Sequence, residues 1–114
     1  MTASGAPAKV SLCHCNACKK RTGSSFGVAV FYDSDRVVTA GPSAVYERRG
    51  ESGKQIAFHF CSSCGTTVYW LPEFRPDSIA IALGAFDDKE GLVPTQSVYE
   101  HRRDPWIAID LGKG

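Results

Sequence analysis

Three cysteines lie within one short segment near the start of the chain, C-H-C-N-A-C at positions 13–18. Thiolate sulfur is a soft ligand, and zinc binds it at about 2.3 Å with tetrahedral geometry. Three thiolates would occupy three corners of the tetrahedron and leave the fourth for water or a substrate, which is the ligand pattern of a catalytic zinc. The spacing therefore predicts zinc binding by Cys13, Cys15 and Cys18, in a pattern that would suit a reactive site.

A second cysteine pair follows later, where Cys61 and Cys64 are separated by two serines and followed by Gly65. A C-x-x-C pair before a glycine is typical of a zinc knuckle, because glycine permits the tight turn. Five thiolates cannot complete two tetrahedra, so two arrangements remain open. Either one structural zinc takes two cysteines from each motif, or the first three form the reactive site and a second site at Cys61 and Cys64 is half filled. Buried cysteines without metal are less favoured, since two clustered motifs seldom arise from packing alone.

The residues beside the cysteines have weaker claims to a role in the site. His14 and His59 flank the two motifs, and we expect both to face away from the metal, as neighbours of a ligand usually do. Arg21, Ser24 and Ser25 directly follow the third cysteine and are the best candidates to line the open face of the site. The competing interpretation gives these three residues ordinary roles at a helix end and a turn.

The composition favours one small domain spanning residues 1–114, with a small, polar and flexible stretch at 1–7. The 114 residues are 43% hydrophobic and 22% charged, and the formal net charge is +1. Lys and Arg are spread along the chain, so the basic stripe that nucleic-acid binding needs is not signalled. The sequence also lacks a run of about 18 apolar residues, so no membrane span is predicted.

The first residues, M-T-A-S-G-A-P, lack the basic start and apolar core of a secretory signal. We therefore expect a cytoplasmic protein with reduced cysteines. Clustered thiols in that compartment hold metal or react more often than they form disulfides. The odd number of cysteines, five, also argues against full pairing within one chain.

Short β-branched and aromatic segments separated by turn residues predict an all-β fold, either a meander or a pair of small coiled sheets. Turns are predicted at 50–53 and 72–76, and one turn of helix at 16–21 before Gly23. Trp106 is expected to anchor the core rather than to form a substrate platform. The predicted strands fall at 10–12, 26–32, 36–40, 44–49, 55–60, 66–71, 78–85, 96–101 and 106–111.

Taken in order, these motifs resemble the glutathione-dependent formaldehyde-activating family, which includes the centromere protein V-like proteins. The resemblance covers most of the chain and rests on the order and spacing of its elements. It implies a zinc-binding, all-β, Mss4-like fold of small coiled antiparallel sheets, in agreement with the predicted strands. The matching segments are C-H-C-N-A-C-K-K-R-T-G-S at 13–24, Phe26, F-C-S-S-C-G-T-T at 60–67, P-D-S-I-A-I-A-L-G-A-F-D-D at 76–88 and D-P-W at 104–106.

The resemblance also implies a role for each cysteine motif. Cys13, Cys15 and Cys18 would hold the zinc at which the glutathione–formaldehyde adduct is handled. Cys61 and Cys64 would join a C-x-C near the N-terminus in a structural zinc site. No C-x-C pair precedes the first motif in this sequence, so we expect the family's N-terminal strand to be missing and the second site to lack half its ligands.

The function implied by the resemblance is that of a zinc-dependent carbon–sulfur lyase acting on a thiol–aldehyde adduct such as S-hydroxymethylglutathione. The expected partner is therefore a small-molecule thiol or its aldehyde adduct. The alternative is a zinc-stabilised binding module without turnover, as the chromatin-associated relatives suggest. An accessible fourth coordination position favours the enzyme, and a closed four-cysteine site favours the module. A sheet edge exposed by the missing strand would also permit a homodimer formed by edge pairing.

Overall fold

Strands dominate the computed structural model, which describes residues 1–50, 53–72 and 76–111. The all-β fold class is confirmed. One α-helix, α1 at Asn16–Thr22, and three short 3₁₀ turns accompany the strands. The strands are β1 Thr2–Ala3, β2 Lys9–Cys13, β3 Gly27–Asp33, β4 Val37–Val38, β5 Ala44–Arg49, β6 Gln55–Phe60, β7 Thr67–Trp70, β8 Ser78–Ala82 and β9 Gln96–Val98.

Seven strands form one sheet in the order β5-β6-β7-β8-β3-β2-β9, and β1 and β4 form a separate antiparallel pair. Every pairing in the large sheet is antiparallel except that of β2 with β9, which is parallel. The sequence predicts only antiparallel sheets, so the parallel pairing of β2 with β9 is not predicted. Parallel neighbours need a long connection, and here most of the chain lies between the two strands, so no local signal marks the pairing.

The two faces of the sheet have different roles because side chains alternate along each strand. One face carries the apolar core, in which Val30 is fully buried and Leu12 is 4% exposed. Cys13, the next residue on β2, points to the other face. Burying aliphatic side chains of this kind stabilises a fold by roughly 1.5–3 kcal/mol each. The central cluster of the core consists of Val10, Val30, Tyr32, Ile79 and Ile81.

The predicted hairpin at the edge of the sheet has the expected boundaries, since β5 and β6 cover 44–49 and 55–60. Gly50 N donates to Lys54 O at 2.9 Å and closes the turn. Residues 51 and 52 of the predicted turn, and 73–75 of the predicted turn at 72–76, lie outside the described residues. The edges of the large sheet are β5 and β9, and a homodimer formed by edge pairing stays a prediction.

The N-terminal stretch takes part in strand pairing, and the flexibility expected at 1–7 stays a prediction. Thr2–Ala3 pairs with Val37–Val38, and Ser4 N donates to Arg36 O at 2.8 Å. Small polar residues carry no hydrophobic pattern of their own. The strand that pairs with Thr2–Ala3 lies more than 30 residues further along the chain, where sequence inspection could not find it.

The strand predicted at 106–111 is absent, and Trp106 is 78% exposed rather than a core anchor. A turn closed by Ile107 N donating to Asp104 O at 3.1 Å rotates the next apolar residue inward. Ile107 is therefore the buried side chain, at 8% exposure. The strand predicted at 78–85 is also shorter, because a 3₁₀ turn at Leu83–Ala85 ends it at Ala82.

Over the described residues, α1 is the single α-helix and has seven residues. No helix there is long and apolar enough to cross a membrane.

The free energy of unfolding should depend strongly on the core side chains, which lie on the sheet face opposite the cysteines. Ile81 is 3% exposed in the core, so Ile81→Ala removes buried methylene groups and leaves a cavity, at an expected loss of about 2–5 kcal/mol in the free energy of unfolding. Val93→Ala, at a side chain that is 49% exposed, should change it by less than about 0.5 kcal/mol. Urea denaturation followed by circular dichroism measures both, and equal losses would contradict the assignment of the core.

Candidate metal centre

The sulfur atoms of Cys13, Cys15 and Cys18 all lie within 4.8 Å of one another. Strand β2 ends at Cys13, α1 begins after Cys15, and Cys18 lies in the first turn of α1. The end of a strand and the first turn of a helix therefore bring the three sulfurs together. All three side chains are half-buried, so the cluster is neither sealed in the core nor loose on the surface.

Cys15 is the N-cap of α1. Its backbone is extended, with φ −66° and ψ 156°, and its sulfur accepts a hydrogen bond from Cys18 N at 3.4 Å. This is the position of a helix N-cap, where a side-chain acceptor satisfies an otherwise unpaired amide. The helix ends at Gly23, whose φ of 66° is the left-handed conformation that glycine adopts without strain. The short helix is therefore defined at both ends by its own sequence.

The cluster fits a zinc ion by donor chemistry and by spacing. In a tetrahedron with zinc–sulfur bonds of about 2.3 Å, two sulfurs lie about 3.8 Å apart. Side chains confined within 4.8 Å reach that separation with small rotations. Among the described residues, this is the one group of three or more cysteine, histidine or acidic side chains close enough to hold a metal. A shared site with two cysteines from each motif is not formed.

The three thiols are electrostatically unequal without a metal. Cys13 and Cys18 share a hydrogen bond, which raises the pKa of Cys13 further than burial does and lowers the pKa of Cys18 to about 6. The charges of Arg21 and Arg48 add to the lowering at Cys18. Cys18 is therefore the sulfur best stabilised as a thiolate, the form that binds metal.

The cluster lies on the wall of a pocket of about 630 Å³, which falls within the usual size range of small-molecule sites. The floor of the pocket is the sheet face that carries Cys13, and its lining includes Phe31 and Trp70. The β5–β6 hairpin forms one side and contributes Arg48. Residues that follow β9, among them Tyr99 and Arg102, form another side. A small molecule in this pocket could reach the sulfurs.

The described lining of the pocket is basic, although the whole chain is nearly neutral. Lys9, Arg48, Lys54 and Arg102 line it, and the described part of the lining contains no aspartate or glutamate. A cleft with charge of one sign concentrates ligands of the other sign. The arrangement therefore favours an anionic small molecule. Sequence reasoning missed these cations because they come from distant segments with no motif in common.

Arg21 lies against the cluster but lines a second pocket rather than the main one, and its expected role in lining the open face stays a prediction. Its guanidinium carbon is 4.4 Å from the centroid of the Trp70 ring, and its side chain hydrogen-bonds with Cys18. Burial lowers the pKa of Arg21, and the nearby Cys18 opposes that effect. Space for the guanidinium exists because position 27 is glycine, where a Cβ would lie 2.8 Å from Arg21 Nη2.

Ser24 and Ser25 are not brought to the pocket. Ser24 is exposed, and its amide donates to Lys19 O at 3.2 Å beyond the end of α1. Ser25 hydrogen-bonds with Asp104, which also pairs with Lys19 at 3.0 Å. Neither serine lines the main pocket, although both follow Cys18 closely in the sequence.

Both histidines have partners other than the cysteine cluster. His14 is fully buried, and its Nε2 lies 3.1 Å from Ser97 Oγ and 3.0 Å from Glu100. Its ring therefore ties the cysteine segment to the residues after β9. His59 stacks on Tyr69 with ring centroids 4.3 Å apart, and its Nδ1 lies 3.0 Å from Ser43 Oγ.

Cys61 and Cys64 form a separate knuckle between β6 and β7. Cys61 N donates to Thr66 O at 2.8 Å, and Gly65, with φ of 80°, donates to Cys61 O at 2.7 Å. The Cys64 sulfur lies 3.1 Å from Thr66 Oγ1, and hydrogen bonds with Thr66 and then Cys61 lower the pKa of Cys64. A second zinc at this pair stays a prediction.

Tyr99 is a pocket residue that the sequence does not reveal. Its φ of 56° is left-handed, the one such value for a non-glycine residue in the described chain. Bulky residues rarely adopt this conformation, and strained backbone of this kind is concentrated at functional sites. Here it begins the 3₁₀ turn Glu100–Arg102 beside the pocket.

The cluster should bind one zinc that depends on the first motif alone. We expect Cys15→Ser to lower the affinity for that zinc at least tenfold, because the site loses one of three thiolates. Cys61→Ser should leave this affinity unchanged, since Cys61 lies outside the cluster. Competition with a chromophoric chelator measures the affinity, and cobalt substitution reports the number of thiolate ligands. Equal loss with both substitutions would instead indicate one shared site.

The space at position 27 should control the placement of Arg21. Gly27→Ala would force the Arg21 guanidinium away, because the new Cβ would lie 2.8 Å from it and 3.4 Å from Cys18 Cβ. We expect an altered Arg21 side-chain signal in the NMR spectrum and only a modest loss of unfolding free energy, because the atom that must shift is the end of a flexible side chain. Gly84→Ala is the control, since open space surrounds position 84. An unchanged Arg21 signal in the first variant would contradict this packing.

Comparison with protein families shows that the model of the glutathione-dependent formaldehyde-activating enzyme family matches residues 1–102. The match includes the three clustered cysteines and every pocket residue named above. Comparison with curated proteins gives no match.

Proposed function

The chain belongs to the glutathione-dependent formaldehyde-activating enzyme family, and on that basis we propose that it is a zinc-dependent carbon–sulfur lyase. Its substrate is an adduct of a thiol and an aldehyde, such as S-hydroxymethylglutathione. Membership of the family indicates a function related to glutathione and formaldehyde and a small-molecule substrate. The specific reaction, the zinc and a cytoplasmic location are our proposal, and reduced, clustered thiols favour that location.

The observation that carries the proposal is the position of the cysteine cluster on the wall of a pocket. Cys13, Cys15 and Cys18 supply three sulfurs, and no fourth cysteine, histidine or acidic ligand joins them among the described residues. Three protein ligands with one open position are typical of catalytic zinc, whereas structural zinc has four. The binding-module alternative needs a closed site and has less support.

The lyase reaction exchanges a hemithioacetal for a thiol and an aldehyde without oxidation or reduction. In R–S–CH₂–OH, the carbon–sulfur bond breaks, its electrons pass to sulfur, the hydroxyl proton leaves and a carbonyl forms. The released sulfur then takes up a proton. Negative charge therefore develops on sulfur as the bond breaks, and groups that stabilise a thiolate lower the barrier.

The residues of this chain suit that charge change. When bound, zinc supplies a Lewis acid that lowers the pKa of a thiol in its open position. The three cysteine thiolates offset much of the charge of the metal, which suits thiol exchange better than amide hydrolysis. The positive charges of Arg21 and Arg48 act on Cys18 from two sides and favour a further sulfur anion beside it.

The activity is testable on the purified protein. Zinc-loaded protein should accelerate the formation and breakdown of S-hydroxymethylglutathione above the spontaneous rate, and Cys18→Ser should return the rate to the spontaneous value. Exchange NMR spectroscopy of glutathione and formaldehyde measures both directions at equilibrium. Lys20→Gln, at an exposed side chain of α1, is the control and should retain the full rate.

A zinc-replete preparation that gave no rate above the spontaneous one, across several thiols, would count against the lyase. Retained zinc and selective thiol binding in the same preparation would support the binding module instead.

A further inference from the structure

Four side chains form a continuous stack beside the cysteine cluster. The guanidinium carbon of Arg48 lies 4.9 Å from the centroid of the Phe58 ring, and the Phe58 and Trp70 rings are 5.3 Å apart. Arg21 lies on Trp70 at 4.4 Å. Two cations are therefore held at the two ends of an aromatic pair. We call Arg21, Trp70, Phe58 and Arg48 the cation–aromatic stack.

Strand register produces this arrangement. Phe58 of β6 lies directly opposite Trp70 of β7, and Arg48 of β5 lies opposite Ile56, two residues before Phe58. Residues two apart on a strand share a face, so Arg48 lies on the pocket face, diagonally across from Phe58. Phe58 is 3% exposed, so the ring that holds Arg48 is itself fixed. Cation–aromatic contact then orders the Arg48 guanidinium before any ligand arrives.

The two arginines of the stack have different environments. Arg21 is hydrogen-bonded with Cys18 and lines a second, neighbouring pocket rather than the main one. Arg48 lines the main pocket, and no ion pair in the described part of the chain involves it. A planar guanidinium presents paired donors that match the two oxygens of a carboxylate.

We propose that Arg48 is a specificity-determining residue, which binds a carboxylate of the substrate while the substrate sulfur lies at the cysteine cluster. This proposal rests on the proposed lyase function. Arg48 acts from within the same pocket as the cluster, so one small molecule can contact both. The substrate class is therefore a thiol that bears a carboxylate, as its aldehyde adduct. Neutral thiols of the same size lack a group for Arg48 to bind.

A purely structural role for Arg48 would be to cover Phe58. If that is its only role, replacing Arg48 lowers the stability of the protein and affects the kinetics of all substrates alike. Recognition of a carboxylate predicts an effect that depends on the charge of the substrate and weakens with salt. The two roles are separated by comparing substrates that differ only in charge.

The kinetic experiment uses the formaldehyde adducts of 3-mercaptopropionate and of its neutral amide. Arg48→Gln should raise KM for the carboxylate adduct at least tenfold with little change in kcat, and should change KM for the amide adduct less than twofold. Arg48→Lys keeps the charge and should recover part of the loss. Arg49→Gln is the matched control, because Arg49 is exposed and points to the opposite face of β5. Equal effects of Arg48→Gln on both adducts would overturn the proposal.

A binding experiment separates this proposal from the lyase proposal. S-Methylglutathione has carboxylates but no free thiol, so it tests the pocket without turnover. Its NMR-monitored affinity should fall at least tenfold in Arg48→Gln and stay unchanged in Arg49→Gln. If S-methylglutathione binding depends on Arg48 but no turnover is found, the lyase proposal is contradicted and the carboxylate site is supported. Turnover without dependence of KM or binding on Arg48 would do the reverse. Thermal unfolding of each variant shows whether a loss of affinity comes from misfolding. If Arg48→Gln misfolds, the affinity and KM of Arg48→Lys are compared with those of the wild type instead.

Discussion

The side-chain alternation of β2 links the core to the pocket, and the rest of the structure depends on it. Leu12 is buried in the core while Cys13 faces the pocket. Because the period of a strand is two residues, a slip of one position against β3 would exchange these two side chains. Burial of Val10 and Val30, paired across the same two strands, opposes the slip. The register that stabilises the fold therefore also places the Cys13 sulfur close to those of Cys15 and Cys18.

Local features of the site could be read from the sequence, and non-local ones could not. The cysteine cluster and the hairpin of β5 and β6 are predictable because their determinants lie within a few residues of one another. Arg48 and Tyr99 reach the pocket only through strand pairing, and a single sequence gives no direct signal of which strands pair. Ser24 shows the opposite error, since it closely follows Cys18 in the chain but does not line the pocket.

Overall charge is a poor guide to the character of the pocket. The chain carries a formal charge of +1, yet four cations meet at the described lining of one cleft. Acidic residues elsewhere, such as Asp87 and Asp88 in an exposed loop, balance the total. Composition averages over the surface, whereas a ligand responds to the local field near its binding position. A nearly neutral protein can therefore be selective for anions.

The hydrogen bond from Lys19 Nζ to Arg102 O, at 2.6 Å, joins positions that are 83 residues apart. Loop closure over such a length has an entropic cost, and contacts of this kind form late in folding. During translation Lys19 leaves the ribosome 83 residues before Arg102, one of the residues that complete the pocket. The cysteine thiols of the nascent chain are therefore accessible before the later residues can form the pocket around them. Metal ions and oxidants compete for these cysteines at that stage, when the finished pocket cannot yet select between them.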